Sequence, residues 1–222
     1  MAKAVYIDYM GTTVDEHSPE MTEIVRRICK NSSLHDPRQV QRFILDNRRR
    51  YEADSYLGAY LTQDEIVDRL ILDMVDQIRL TDEPSALRGL IRSHWVNAAV
   101  FPDARAFFER CPVPIYIITN IGLPYMEQAL QHNGLKAAGV VSADTARAYK
   151  PHREIFDEAL RVSGCAPGEV VHIGDSYDTD VVGARGAGIR PVLLLRGRER
   201  QHFDVDAADG LEQALELVFS KG

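Results

Sequence analysis

Six polar positions in this chain have the types and order that oxygen chemistry requires. Asp8 is a carboxylate set directly behind the apolar run Ala4 to Ile7. Thr119 and Asn120 end a second apolar run that opens at Pro114. Lys150 precedes a proline at the head of a helical pattern. Asp175 and Asp180 follow a third apolar run, Val170 to Ile173, within Gly174-Asp175-Ser176-Tyr177-Asp178-Thr179-Asp180. A carboxylate can attack an electrophilic centre and carry the product covalently, splitting one hard displacement into two easier ones. Hydroxyl donors can hold an anion's oxygens, a lysine can offset its charge, and neighbouring carboxylates can hold a hard cation. Singly, each residue has a bland role: a strand-end cap, a packed threonine, a solvated lysine. The order, with three of the four stretches at strand ends, outweighs those roles.

The elements that must position these groups are legible as patterns. Short apolar runs bounded by polar residues read as buried strands of a parallel sheet, and ligands of such sheets sit beyond the strands' carboxyl ends. Gly11 allows a tight turn or a close approach just after Asp8, and Thr12 and Thr13 add hydroxyls. From Val14 to about Asn97 every periodic segment is helical. Met21, Ile24, Val25 and Ile28 follow a Ser18-Pro19 start, and Val40, Phe43, Ile44, Asn47 and Tyr51 form a second face. Ile66, Val67, Leu70, Ile71, Met74, Val75 and Ile78 form a third behind a Thr62-x-x-Glu65 capping box. Leu87, Leu90, Ile91, His94 and Trp95 form a fourth. From Val100 strands and helices alternate, with helices expected from Pro102 to Arg110, Pro124 to Asn133, His152 to Val162, Thr179 to Ala187 and Leu211 to Phe219. Strands are expected at Ile115 to Thr119, Val140 to Ser142, Val170 to Ile173 and Pro191 to Leu195.

In sequence order the four stretches resemble the four motifs of the haloacid dehalogenase superfamily of hydrolases, and the resemblance covers nearly the whole chain. It implies an α/β fold: a Rossmann-like parallel-sheet core of residues 1–13 and 98–222. An all-helical cap of residues 14–97 would be inserted into it, closing over the site and selecting the substrate. It implies that Asp8 is the nucleophile, forming an aspartyl phosphate. It implies that Mg²⁺ is held by the Asp8 and Asp175 side chains and the Met10 backbone carbonyl, hard oxygen ligands of the kind Mg²⁺ prefers. Thr119 and the Asn120 backbone N–H would hold phosphoryl oxygens, with Asn120 also able to orient substrate. Lys150 would set a point charge against Asp8 and the phosphoryl group. Asp180 fits a supporting role behind the metal, and helix capping equally well; for Asp178 capping is the better reading.

The chain departs from the family's phosphatases at Met10. Those carry a second aspartate there, which protonates the leaving oxygen and later activates water. Proton transfer of this kind contributes ~10²–10⁴-fold. The expected function is a Mg²⁺-dependent phosphatase of small phosphorylated metabolites, with a proton source elsewhere; His17 and Tyr9 are possible donors. Three alternatives follow from Met10. A 2-haloacid dehalogenase has a non-acid here and needs no metal. A phosphonate hydrolase resembles Asp8-Tyr9-Met10-Gly11-Thr12-Thr13-Val14-Asp15 but needs a cap lysine, and Lys30 stands too near the first motif. A non-catalytic regulatory member would keep the pocket for binding. Arg48-Arg49-Arg50-Tyr51 in the cap reads as a solvated face that could offer an arginine to an anionic substrate.

Composition sets the remaining bounds. At 222 residues the chain suits one domain or a core with one inserted module, and its net charge of −7 argues against a nucleic-acid partner. Cys29, Cys111 and Cys165 lack metal-ligand spacing and point to a reducing compartment. No membrane-length apolar stretch or leader is visible, so a cytoplasmic protein, monomer or homodimer, acting on a small anionic substrate is the expectation.

Overall fold

The computed structural model describes residues 2–198 and 204–219. Among these described residues, six parallel strands form one sheet in the order β3-β2-β1-β4-β5-β6. They are β1 (Ala4–Ile7), β2 (Ile115–Thr119), β3 (Gly139–Ser142), β4 (Val170–Gly174), β5 (Arg190–Leu194) and β6 (Asp206–Ala208). The central β1 pairs with β2 through Val5 and Ile115, and with β4 through Val5 and Val171. Alternation along the strands feeds two apolar layers. Val5, Ile7, Ile117 and Ile173 join the larger cluster, while Ala4, Tyr6, Ile118 and Val170 join a second one with Phe156. Asp8, Thr119 and Asp175 all follow from this register, because parallel strands end on the same side of the sheet.

Four helices lie between β1 and β2: α1 (Pro19–Asn31), α2 (Pro37–Asp54), α3 (Gln63–Ile78) and α4 (Pro84–Asn97). Their starts are chemically specified. Ser18 accepts from Met21 N, Asp36 from Arg38 N, and the Thr62/Glu65 capping box closes α3. The α3 face buries Ile66, Val67, Leu70, Ile71, Met74 and Ile78. Full burial of each contributes roughly 1.5–3 kcal/mol, so packing rather than propensity holds this helix.

The remaining helices are α5 (Pro102–Arg110), α6 (Leu123–Asn133), α7 (Ala143–Ala146), α8 (Arg153–Ser163), α9 (Val182–Gly186) and α10 (Leu211–Phe219). Gly134 and Gly164 end α6 and α8 in left-handed conformations. Three features differ from expectation, the first being the short helix α7 behind its Ser142/Thr145 capping box. The helix expected from Thr179 begins as a π-type turn over Tyr177–Val181 before α9 takes over. The short edge strand β6 was not expected at all. Its Asp-Ala-Ala lacks β-branched residues, and pairing with Val192, Leu193 and Leu194 of β5 supplies what propensity does not.

Candidate active site

The strand ends converge on one buried lysine. Lys150 Nζ donates to Asp8 Oδ1 at 2.6 Å and to Asp180 Oδ1 at 2.7 Å. Its side chain is 3% exposed, and that of Asp180 1%. Asp180 reaches this point because the turn after β4 folds back on itself: Ser176 N donates to Asp180 Oδ2 at 3.1 Å. A Cβ on Gly174 would stand 2.2 Å from Asp180 Cγ, so only glycine fits beneath that carboxylate.

Asp175 completes the group. Asp8, Asp175 and Asp180 each offer an oxygen, all within 4.8 Å of one another. Thr12 Oγ1 donates to Asp175 Oδ1 at 3.3 Å, and Arg198 Nη2, at the rim, to Asp175 Oδ2 at 3.3 Å. Gly11, at φ +78°, passes so close that a Cβ would lie 2.8 Å from Asp175 Oδ2. Thr13 Oγ1 donates to the Asp8 backbone oxygen at 2.7 Å, which fixes the turn after β1.

The electrostatics follow from burial. Three carboxyls share the one Lys150 ammonium, so full ionisation would leave two negative charges inside the site, partly answered at the rim by Arg198. Burial, reinforced by Asp180 and Asp175, pushes the Asp8 carboxyl up to about 8 against the pull of Lys150. Burial and Asp180 likewise push Asp175 up to about 6. Burial also opposes the charge on Asp180, but Lys150 and His172 overcome it and hold this carboxyl below the usual range. Lys150 is held above its ordinary value, since Asp180 and Asp8 outweigh its desolvation. The excess of negative charge and the all-oxygen donor set fit a hard divalent cation.

Thr119 ends β2, and Asn120 follows it and meets the Lys150 backbone. Thr119 is buried, and its Oγ1 accepts from Ile121 N at 3.2 Å. The Asn120 side chain is clamped at both ends: Oδ1 accepts from Lys150 N at 2.8 Å, and Nδ2 donates to Glu52 Oε2 at 3.3 Å. Asp178, 71% exposed at its side chain, stands outside the group, 3.7 Å from Arg49. Met10 packs partly buried against the main apolar cluster. Tyr9 is no candidate donor, because it is fully buried and its hydroxyl accepts from Asn133 Nδ2 at 3.0 Å. His17 is exposed and bonded to Asp15. Lys30 lies exposed in the last turn of α1.

Two residues of this neighbourhood were missed in the sequence. His172 is fully buried in β4, and its Nε2 donates to Asp180 Oδ1 at 2.8 Å; its ring meets Phe156 edge-on. Burial holds this imidazole below its ordinary value, hence neutral. A polar residue two places before Gly174 in a strand buried on both faces was the available signal. Glu52, on α2, gave none; its burial comes from contact with the sheet's loops.

Those contacts form a seam between the helical block and the strand ends. Gly122 N donates to Gln63 Oε1 at 3.0 Å, Tyr60 OH to Asp144 Oδ1 at 2.7 Å, and Tyr149 OH to Leu61 O at 2.9 Å. His152 Nε2 meets Ala53 O at 2.8 Å, and Tyr56 stacks on its ring at 4.3 Å.

A parallel sheet with a lysine-linked set of aspartates at its strand ends, and helices inserted after the first strand, defines a class of α/β proteins. The HAD-hydrolase-like family model matches residues 148–214, which carry Lys150, Asp175 and Asp180. A glyceraldehyde 3-phosphate phosphatase of Methanothermobacter thermautotrophicus is 36% identical over 87 residues, 36% of this chain and 38% of the relative. A haloacid dehalogenase-like hydrolase domain-containing protein 3 of Danio rerio is 37% identical over 127 residues, 54% of this chain and 52% of the relative. The matches therefore span only about two fifths to half of these relatives' lengths. Across the full length of both chains, an L-2-haloacid dehalogenase of Xanthobacter autotrophicus, solved with chloropropionic acid covalently bound, superposes with a TM-score of 0.80 at 18% identity. At that identity the likeness shows the fold. In sequence the chain is similar to HAD-hydrolase-like proteins over residues 148–214, and in fold to the L-2-haloacid dehalogenases.

Proposed function

We propose that this protein is a Mg²⁺-dependent hydrolase that removes the phosphoryl group of a small phosphorylated metabolite through Asp8. The observation that carries the reading is the Lys150 ammonium gripping Asp8 and Asp180 while Asp175 completes the carboxylate group. Asp8 attacks phosphorus; its new O–P bond forms as the bond to the leaving oxygen breaks, giving an aspartyl phosphate. Water then attacks phosphorus, releasing phosphate and restoring Asp8. Lys150 holds Asp8 in line and neutralises part of the charge shared with the phosphoryl oxygens. Thr119 Oγ1 and the Asn120 N–H hold those oxygens, and Asn120 orients the substrate. A Mg²⁺ ion on Asp8, Asp175 and the Met10 carbonyl would supply charge neutralisation and alignment, with Asp180 supporting it. That neutralisation is what a carboxyl pushed up to about 8 requires in order to act as a nucleophile near neutral pH.

Residues 14–97 act in this reading as a cap that closes on residues 1–13 and 98–222 along the seam. The phosphatase named among the relatives supports a phosphorylated substrate. Retention of Asp175 within the cluster favours metal-assisted chemistry over metal-free dehalogenation. The described residues include no helix long and apolar enough to cross a membrane, and all three cysteines are free, which supports a cytoplasmic setting.

The test is hydrolysis of 4-nitrophenyl phosphate with and without Mg²⁺ by wild type and Asp8→Asn. Turnover that needs both the metal and Asp8 is expected. Unchanged turnover in Asp8→Asn would end the nucleophile assignment. Chloride release from 2-chloropropionate without metal, in place of phosphate release, would move the protein to the dehalogenases.

A further inference from the structure

If Asp8 transfers phosphoryl groups, something must protonate the leaving oxygen, and Met10 cannot. The helical block carries one buried carboxyl among its described residues. Glu52 is 5% exposed, in the last turn of α2. Its Oε2 accepts one long hydrogen bond, from Asn120 Nδ2 at 3.3 Å, and Arg48 Nε lies 3.6 Å from Oε1. Arg48 is half exposed, so its charge is largely spent on water. An ionised carboxylate has about four acceptor sites to fill, and burial without them favours the neutral acid. The position on the helix acts in the same direction, because the negative end of the α2 dipole disfavours an anion there. Burial accordingly raises the Glu52 carboxyl above its ordinary range, against Arg48, Asn120, Lys150 and Arg49. The other end of the Asn120 amide accepts from the Lys150 backbone N–H. One side-chain amide thus separates the Glu52 carboxyl from the residue whose ammonium grips the nucleophile.

We propose that Glu52 is the general acid, giving its proton to the leaving oxygen in the role that Met10 leaves unfilled. This rests on the phosphoryl-transfer reading and deepens it. As the Asp8–phosphorus bond forms, the bond from phosphorus to the leaving oxygen breaks. The bonding pair stays on that oxygen, which takes the Glu52 proton and departs as an alcohol. Water then enters from the same side. Its oxygen bonds to phosphorus, one of its protons passes to Glu52, and the Asp8–phosphorus bond breaks. Glu52 is thereby returned to its neutral form and no further reactant is needed. The substrate class follows: alkyl phosphate monoesters, whose alkoxides leave poorly without a proton, rather than acyl or aryl phosphates.

The experiment compares kcat/KM on glycerol 2-phosphate and 4-nitrophenyl phosphate, with Mg²⁺, for wild type, Glu52→Gln and Glu52→Asp. Nitrophenolate leaves without help, so Glu52→Gln should lose about 100-fold or more on the alkyl ester and less than about fivefold on the aryl ester. Glu52→Asp, which keeps a carboxyl, should fall between wild type and Glu52→Gln on the alkyl ester; circular dichroism checks that both variants fold. Equal losses on both esters would mean that Glu52 merely ties the helices to the sheet, and would overturn the proposal. So would full alkyl activity in Glu52→Gln. A wild type that hydrolyses only the aryl ester has no working acid, which defeats Glu52 while Asp8 chemistry stands. A wild type that hydrolyses neither ester defeats the phosphoryl-transfer reading itself.

Discussion

The sheet's strand ends and the helical block handle charge in opposite ways. At the strand ends, ions are buried and multiply bonded: Lys150, Asp8 and Asp180 side chains are 3%, 10% and 1% exposed. In the helical block most ion pairs lie at the surface, as with Arg88 and Asp68 at 36% and 52%, and even the more enclosed pair of Arg27 with Asp82 keeps its arginine 28% exposed. The block is held instead by apolar faces such as that of α3. Charges inside a protein can be kept only where the backbone fixes several partners at once, and parallel strand ends do this. Helices dock by apolar faces and leave their charges in water. Glu52 is the exception, a buried carboxyl carried on the helical side.

The largest break in this contrast is Lys150→Met. It strands two buried carboxylates, so urea unfolding should register a loss of about 3–5 kcal/mol, alongside lost turnover. A loss below ~1 kcal/mol would mean that the ion group does not anchor the strand ends.

His94 tests the helical side. It is buried on α4, with Nδ1 2.8 Å from the Oγ of Ser18 at the start of α1. Burial holds its imidazole below the ordinary value, against Glu20 and Glu16. The unfolded chain therefore binds the extra proton first as pH falls below about 6.5, and stability drops with it. Wild type should lose up to about 1.4 kcal/mol per pH unit more than His94→Gln between pH 6 and 5. Parallel urea midpoints across that range would refute the idea.

Arg88→Ala gives the smallest effect. Removing this exposed pair should change stability by less than about 1 kcal/mol. A larger change in the same urea assay would blur the distinction between the two regions.

Much of this was legible in the sequence, for identifiable reasons. Asp8, Thr119 and Asp175 each end an apolar run, and strand ends are where a parallel sheet gathers its chemistry. Capping residues such as Ser18 and Thr62 act locally, so their helices start where expected. Glu52 was invisible because it sits behind Arg48-Arg49-Arg50 and looks like part of a solvated face. Those arginines are indeed about half exposed, while Glu52, one turn beyond Arg48, is turned into the seam. The π-type turn at Tyr177–Val181 was illegible because it serves a tertiary demand, bringing Asp180 back over Gly174 to Lys150.

The strand order also has a consequence for biosynthesis. β1 is translated before both of its neighbours, yet Val5 pairs with Ile115 on one side and Val171 on the other. A growing chain therefore carries this apolar segment, with Asp8 behind it, unpaired until more than a hundred further residues have been added. The four intervening helices draw on nearer contacts and can consolidate sooner. Closing such long loops is slow, and an unpaired strand invites wrong partners meanwhile. Being only four residues long, β1 offers those partners little to hold.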